Sequence, residues 1–311
     1  MQTYDASAVA AALPYGQLVD VLDSAFRSQV TVPVRTNHTV PKTNASDANL
    51  LLMPAWREGG MLGVKIVTVF PDNAQRGLGA VNASYVLMHG ETGVPVAMLD
   101  GDELTLRRTA CASALASRYL SRDDSSTLLM IGTGRLAPHL VAAHAAVRPI
   151  KRVVIWGRRQ EAAQSLVEQI APRVDDVRAA NNLSAEIDEA DIISCATLAS
   201  TPLIRGELLR PGQHLDLVGA FTPSMAEADP TAMQRARVFV DTYDGALAEA
   251  GDILQALDTG TIERADVLGE MAELSSGAVV GRLSREDITL FKSVGTALED
   301  LAAAELVAAG A

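Results

Sequence analysis

The chain of 311 residues has only two cysteines, Cys111 and Cys195. Both lie in runs of apolar or small residues, so neither a disulfide framework nor a zinc site is expected, and both read as buried core thiols. Basic residues are also scarce: 26 Lys and Arg stand against 38 Asp and Glu, a formal net charge of −12. That balance disfavours nucleic acid, whose phosphates require clustered cations. No apolar run is long enough to span a bilayer, and the first residues lack the charged-then-apolar order of a secretion signal. A soluble, cytoplasmic protein without membrane or metal is the expectation. Internal repeats and low-complexity tracts are missing too. What is present is a chain 48% hydrophobic and 21% charged, with apolar material for a sizeable core and two domains. Its partner is expected to be a small molecule.

The most specific segment runs from Leu128 to Arg159. An apolar run, Leu128-Leu129-Met130-Ile131, leads into Gly132-Thr133-Gly134-Arg135-Leu136-Ala137 and an alanine-rich helix. Gly132 allows a sharp turn, Gly134 lets backbone approach a pyrophosphate, and Ala137 is small enough for helix and strand to pack closely. Backbone N–H groups at the helix start would hold the phosphates. The next apolar run ends in Trp156-Gly157-Arg158-Arg159. An NAD-preferring fold usually has an acid there for the ribose 2′-hydroxyl, whereas arginine accommodates a 2′-phosphate. The two arginines therefore predict NADPH over NADH; the plainer alternative, a solvated helix start, has cations opposing the helix dipole.

Around this segment, strands are predicted at Leu128–Ile131, Arg152–Trp156, Val177–Ala179, Ile192–Cys195, His214–Val218 and Val238–Asp241, most separated by helices. That is a Rossmann-type, doubly wound parallel sheet over 121–295. Before it, a helix over 15–28 is followed by short runs at Val32–Val40, Asn49–Trp56, Gly63–Phe70, Ala80–Met88 and Val94–Leu99, which read as a mixed or antiparallel sheet, and by a helix over Leu104–Leu120. Ile288–Ala309 has the composition of one long helix interrupted by Gly295. A late helix crossing back would make the nucleotide domain an insertion in an α+β domain formed by 1–120 and about 296–311.

Chemistry must come from side chains in that first domain. Lys65 lies between aliphatic residues, and a buried ammonium needs a partner. A ligand carboxylate would serve; an edge-strand lysine facing water, or a structural ion pair with an Asp, fits the pattern equally. Arg35 and Arg108 are the other candidate cations. Met53 and Trp56 could wall a pocket or fill the core, and Asn82 and Ser84 could face a ligand. His139 and His144 read as packing or surface residues; His38 and His89 lie in the first domain, where His89 reads as structural.

Several motifs in order give the chain a wider likeness: Met53-Pro54-Ala55, Val64-Lys65-Ile66-Val67, Phe70-Pro71-Asp72-Asn73, Arg108-Thr109-Ala110, Gly132 to Ala137, Gly219-Ala220, and Val294-Gly295-Thr296-Ala297-Leu298-Glu299-Asp300. With these it resembles the ornithine cyclodeaminase and mu-crystallin family over nearly its whole length. The resemblance implies an NAD(P)-dependent enzyme or NADPH binder for small amino and imino acids, dimeric through the first domain. It also implies a substrate-carboxylate trio of Arg35, Lys65 and Arg108, with Thr109 near cofactor phosphate. The nicotinamide is then expected near Thr197, Gly219, Val294 and Gly295.

Departures from the family pattern narrow the expectation. Cyclodeaminases carry acids where this chain has Leu51 and Phe221, and expelling ammonia needs such acid/base groups. Gly219-Ala220-Phe221-Thr222-Pro223-Ser224-Met225 instead resembles the reductase branch, although that branch commonly has Arg where this chain has Ala226. The expected activity is NADPH-dependent reduction of the ketimines Δ1-pyrroline-2-carboxylate and Δ1-piperideine-2-carboxylate to proline and pipecolate, with Lys65 catalytic. A cyclodeaminase or amino-acid dehydrogenase, and a non-catalytic NADPH-dependent binder like mu-crystallin, are the alternatives.

Overall fold

Period-two alternation builds the first sheet. In the computed structural model, which describes residues 1–43 and 45–310, its strands are β1 (Gln2–Tyr4), β2 (Thr36–Val40), β3 (Ala48–Trp56), β4 (Met61–Val69), β5 (Val81–His89) and β6 (Pro95–Asp100). They run in the order β1-β6-β5-β4-β3-β2. All neighbours are antiparallel except β1 and β6, which gives the expected mixed sheet. One face buries Met53, Ala55, Lys65, Tyr85 and Leu87. The helix Ala297–Ala309 packs against β3, β4 and β5, and the amphipathic helix Tyr15–Phe26 packs on that helix in turn. The opposite face carries Leu52, Trp56, Leu62, Val64, Val86 and Met88, apolar yet half-exposed.

The second sheet is wholly parallel. Its strands are β7 (Thr127–Ile131), β8 (Arg152–Trp156), β9 (Asp176–Ala180), β10 (Ile192–Cys195), β11 (His214–Leu217), β12 (Arg237–Val240), β13 (Val267–Glu270) and β14 (Thr289–Lys292). The order is β13-β12-β14-β11-β10-β7-β8-β9. From β7 the chain runs out to β9, returns to β10 on the other side of β7 and runs on to β13, with β14 inserting last between β11 and β12, so the order reverses between β7 and β10. In open α/β sheets ligands bind at the carboxyl ends of the strands beside such a reversal. Every residue of β10, β11 and β14 is buried, as expected for central strands covered on both faces.

Several elements depart from the sequence expectation, the helix Ala6–Ala12 before the expected opening helix among them. Ile288–Ala309 is not one helix: Thr289–Lys292 is a central strand, and the helix begins only at Ala297. Gly295, at φ 86°, turns the chain, and the Thr296 side chain caps the helix by accepting the Leu298 N–H. The strands β1 and β13 were not anticipated. The structure divides into two compact units, Met1–Thr109 with the segment from Thr296 onward, and Ala110–Gly295. Among the described residues no helix is long and apolar enough to cross a membrane.

Candidate functional site

In the first unit two of the three cation candidates, Lys65 and Arg108, come together on the buried face of the mixed sheet. Strand pairing sets Met53 opposite Lys65, and Lys65 opposite Tyr85. Arg35 immediately precedes β2, whose first residue Thr36 pairs with Leu52, and is half-buried. Lys65 Nζ lies 2.7 Å from Asp300 Oδ2. Asp300 Oδ1 accepts from Arg108 Nε at 2.9 Å, while Arg108 Nη1 donates to Glu299. Of the local readings of Lys65, the structure thus contains the ion pair with an Asp, and its cation partner across that Asp is Arg108. Sequence reasoning missed Asp300 and Glu299 as partners, although two acids on the buried face of an alanine-rich helix were a usable signal.

Electrostatics follow from that closure. Burial, and then the nearby Arg108 charge, push the Lys65 ammonium down to about 8 against the opposing pull of Asp300. Burial alone would raise the Asp300 carboxyl, but Arg108 and Lys65 outweigh it and hold it below the usual range. Arg108 is likewise desolvated, yet Asp300 and Glu299 drive its ionisation further up. Two cations face two carboxylates, so the cluster is neutral as a set. Arg108 and Lys65 both retain N–H donors beyond those given to Asp300 and Glu299.

In the second unit the nucleotide-binding candidates gather at the carboxyl ends of the parallel strands. Gly132 to Ala137 follow β7, and Gly157 to Arg159 follow β8, whose Trp156 pairs with Ile131. Thr197 follows β10, Gly219 follows β11, and Val294 with Gly295 follow β14. Gly132 takes φ 117°, and a side chain there would meet Ala196 O at 2.5 Å. Only glycine fits where the loops after β7 and β10 approach so closely. Gly134, by contrast, opens onto empty space. The helix Ala137–Val147 has Pro138 in its first turn, no side-chain cap and no acid there. A diphosphate fits these features, because backbone N–H groups and the dipole are left for an anion. Arg158 and Arg159 are exposed beside them.

Beneath these loops lies a group of buried charges that sequence reasoning did not single out. Glu227 Oε1 accepts from Thr197 N at 2.7 Å and from Thr197 Oγ1 at 3.0 Å, and Oε2 accepts from Gly219 N at 2.7 Å. Asp241 Oδ2 accepts from Val294 N at 2.8 Å and Gly295 N at 2.6 Å. Asp252 Oδ1 accepts from Glu227 N and Ala228 N, and its Oδ2 lies 3.3 Å from Lys292 Nζ. Burial raises both the Glu227 and the Asp241 carboxyl. The signal was a charged residue at the end of an apolar strand, Lys292 after Leu290-Phe291 and Asp241 after Val238-Phe239-Val240.

The remaining candidates divide. His144 is buried with Nε2 3.2 Å from Asp216 Oδ2, which also accepts from Ser194 Oγ. His139 is half-exposed, and His38 and His89 are exposed. Cys111 and Cys195 are buried and free. Leu51 shares its sheet face with Met53 by alternation, Phe221 is 44% exposed, and Ala226 is buried.

The model of the ornithine cyclodeaminase/mu-crystallin family matches residues 3–310. Protein SAR DEFICIENT 4 of Arabidopsis thaliana is 46% identical over 288 residues, covering 90% of this chain and 87% of its own. The Δ1-pyrroline-2-carboxylate reductase of Colwellia psychrerythraea is 37% identical, covering 99% and 98%. The solved structure of Thermococcus litoralis Δ1-pyrroline-2-carboxylate reductase with NADH and L-proline superposes with TM-score 0.92 at 30% identity, covering 99% of this chain and 97% of that one.

Proposed function

This chain belongs to the ornithine cyclodeaminase/mu-crystallin family, and from that premise we propose that it reduces cyclic ketimines, Δ1-pyrroline-2-carboxylate and Δ1-piperideine-2-carboxylate, to proline and pipecolate with NADPH. The observation that carries the proposal is the joining of Lys65 and Arg108 through Asp300. Arg108, Arg35 and Lys65 hold the substrate carboxylate with their remaining donors, the guanidinium being suited to a bidentate grip. Met53 borders the same place. Lys65, at about 8, holds a proton near neutrality and passes it from Nζ to the ring nitrogen, forming the iminium.

Bound NADPH supplies the hydride that adds to the imine carbon. Gly132 to Ala137, with Thr109, hold its phosphates, and Trp156 to Arg159 its adenosine ribose; Arg158 and Arg159 favour the 2′-phosphate. Thr197, Gly219, Val294 and Gly295 hold the nicotinamide. The Thermococcus relative binds NADH, which supports a nicotinamide cofactor; the NADPH preference rests on the two arginines. Leu51 and Phe221 offer no acid/base group for expelling ammonia, which argues for reduction over cyclodeamination. The apolar outer face of the mixed sheet supports pairing with a second copy of the chain.

The deciding experiment sets NADPH oxidation with each cyclic imine beside ammonia release from ornithine with NAD. Turnover in the first without the second is expected. Ammonia release would overturn the reading, and tight NADPH binding without turnover of either imine would favour a binding protein.

A further inference from the structure

The carboxylates beneath the second sheet's loops spend their acceptors in an uncommon way. A buried carboxylate ordinarily caps its own turn or pairs with a cation. Glu227 instead joins two loops: one oxygen takes both donors of Thr197, after β10, and the other takes the backbone N–H of Gly219, after β11. A side chain at Gly219 would meet Thr197 O at 1.9 Å and Glu227 Oε1 at 2.6 Å, so the loops close on this carboxylate with no room to spare. Asp241 takes both backbone N–H groups of Val294 and Gly295, after β14, on one oxygen. Asp252 fixes the Glu227 backbone and approaches Lys292, which stands fully buried on the strand that precedes the third loop.

We propose that Glu227 and Asp241, set in place with Asp252 and Lys292, are positioning residues that fix the three nicotinamide loops and so aim the hydride at the imine carbon. This rests on the reading of those loops as the nicotinamide end of the cofactor site. Among the described residues Glu227 and Asp241 accept no hydrogen bond from the turn at Gly132 to Ala137, so replacing them acts first at the nicotinamide end. Donor geometry matters because a displacement of about 1 Å at a reacting centre costs about 100-fold in rate. Isosteric amides keep the volume but replace one accepting oxygen with an N–H group: in Glu227→Gln either orientation opposes a loop donor, and in Asp241→Asn the amide opposes either the Val294 and Gly295 donors or the Thr242 N–H.

The test compares the full-length protein with its Glu227→Gln and Asp241→Asn variants. NADPH affinity is measured by calorimetry, the emission of the bound dihydronicotinamide by fluorescence, and kcat with its deuterium isotope effect on a cyclic imine. Expected are affinities within about threefold of wild type, emission shifted toward that of free NADPH, kcat lower by roughly 10- to 100-fold, and a larger isotope effect. Thr197→Val, which removes one hydroxyl donor at a partly exposed site, shifts the same readouts in the same direction by less and serves if the carboxylate variants do not fold. Unchanged emission and isotope effect, with only a lower melting temperature, would overturn the proposal. Wild-type protein that binds NADPH but reduces no imine would sink the functional reading alone, because the emission shift still decides the positioning. Failure of wild type to bind either nicotinamide cofactor would sink both.

Discussion

Asp300 Oδ2 stands 2.7 Å from Lys65 Nζ, with both side chains closed to solvent. The carboxylate raises an ammonium that burial and Arg108 depress, and the balance sits at about 8. In the proposed mechanism Lys65 works as an acid, so its charged form is the active one. The rate with a cyclic imine therefore holds below that value and falls as pH rises through it. In Asp300→Asn the supporting charge is gone, Lys65 loses its proton at lower pH, and the alkaline limb of kcat/KM moves down. Lys65→Met lowers kcat/KM by about 100-fold or more. Wild-type turnover in Lys65→Met, or an unmoved limb in Asp300→Asn, contradicts the assignment.

Arg158 follows β8, which pairs with the strand leading into the turn at Gly132 to Ala137, and is exposed. A charge-assisted contact to a phosphate is worth about 1.5–3 kcal/mol. Arg158→Ala is thus expected to weaken NADPH binding by about 10- to 100-fold and NADH by less than about threefold. Calorimetric titration with the two cofactors decides it; equal losses mean that Arg158 does not contact the 2′-phosphate.

Tyr85 is fully buried, and its hydroxyl has no hydrogen-bond partner among the described residues. That hydroxyl occupies the space above Gly63, where a side chain would lie 1.9 Å from it. Gly63→Ala forces the ring aside and is expected to cost about 1–3 kcal/mol or more in urea unfolding. Tyr85→Phe removes an unsatisfied polar atom and is expected to be neutral or stabilising. A large loss in Tyr85→Phe would reveal a partner for the hydroxyl.

The Thr289 hydroxyl donates to Leu120 O and so accepts from His214 Nδ1, 3.0 Å away. Burial presses this histidine down to about 3, and it stays neutral in the fold. The unfolded chain binds a proton near pH 6.5 that the folded chain refuses until about pH 3. Its stabilising contribution is complete above the first value and is lost as pH falls toward the second. His214→Asn keeps an amide donor but does not titrate. It should flatten the stability slope between pH 6 and 4 by up to about 1.4 kcal/mol per pH unit. Equal slopes in wild type and variant would place the histidine's proton elsewhere.

How much of this was legible follows from what each signal depends on. Local signals sufficed for the glycine turn, the parallel strands beside it and the alternating strands β3 to β5, because turn chemistry and periodicity lie within a few residues. β14 was misread because a short apolar run buried on both faces has no period to separate it from a helix. Lys65 and Arg108 could be picked out as cations needing partners. Their partners, Glu299 and Asp300, lie about 190 residues beyond Arg108, and nothing local links them. Glu227 was hidden differently: its donors Thr197 and Gly219 come from separate loops, and hydrogen bonds to backbone leave no mark on composition.

The helix Ala297–Ala309 covers a sheet whose strands all precede the parallel-sheet unit in the chain. On the ribosome, the first sheet is therefore made long before the carboxylates that neutralise Lys65 and Arg108 exist. Burying those cations early leaves them without counter-charge, a state that costs about 3–5 kcal/mol where such a pair has lost one partner. The first unit must wait, its cationic face in water, while the second is translated and given time to fold. Completion of the proposed substrate site is thereby tied to synthesis of the Ala297–Ala309 helix, and a chain released before Glu299 and Asp300 lacks the carboxylates that neutralise Lys65 and Arg108.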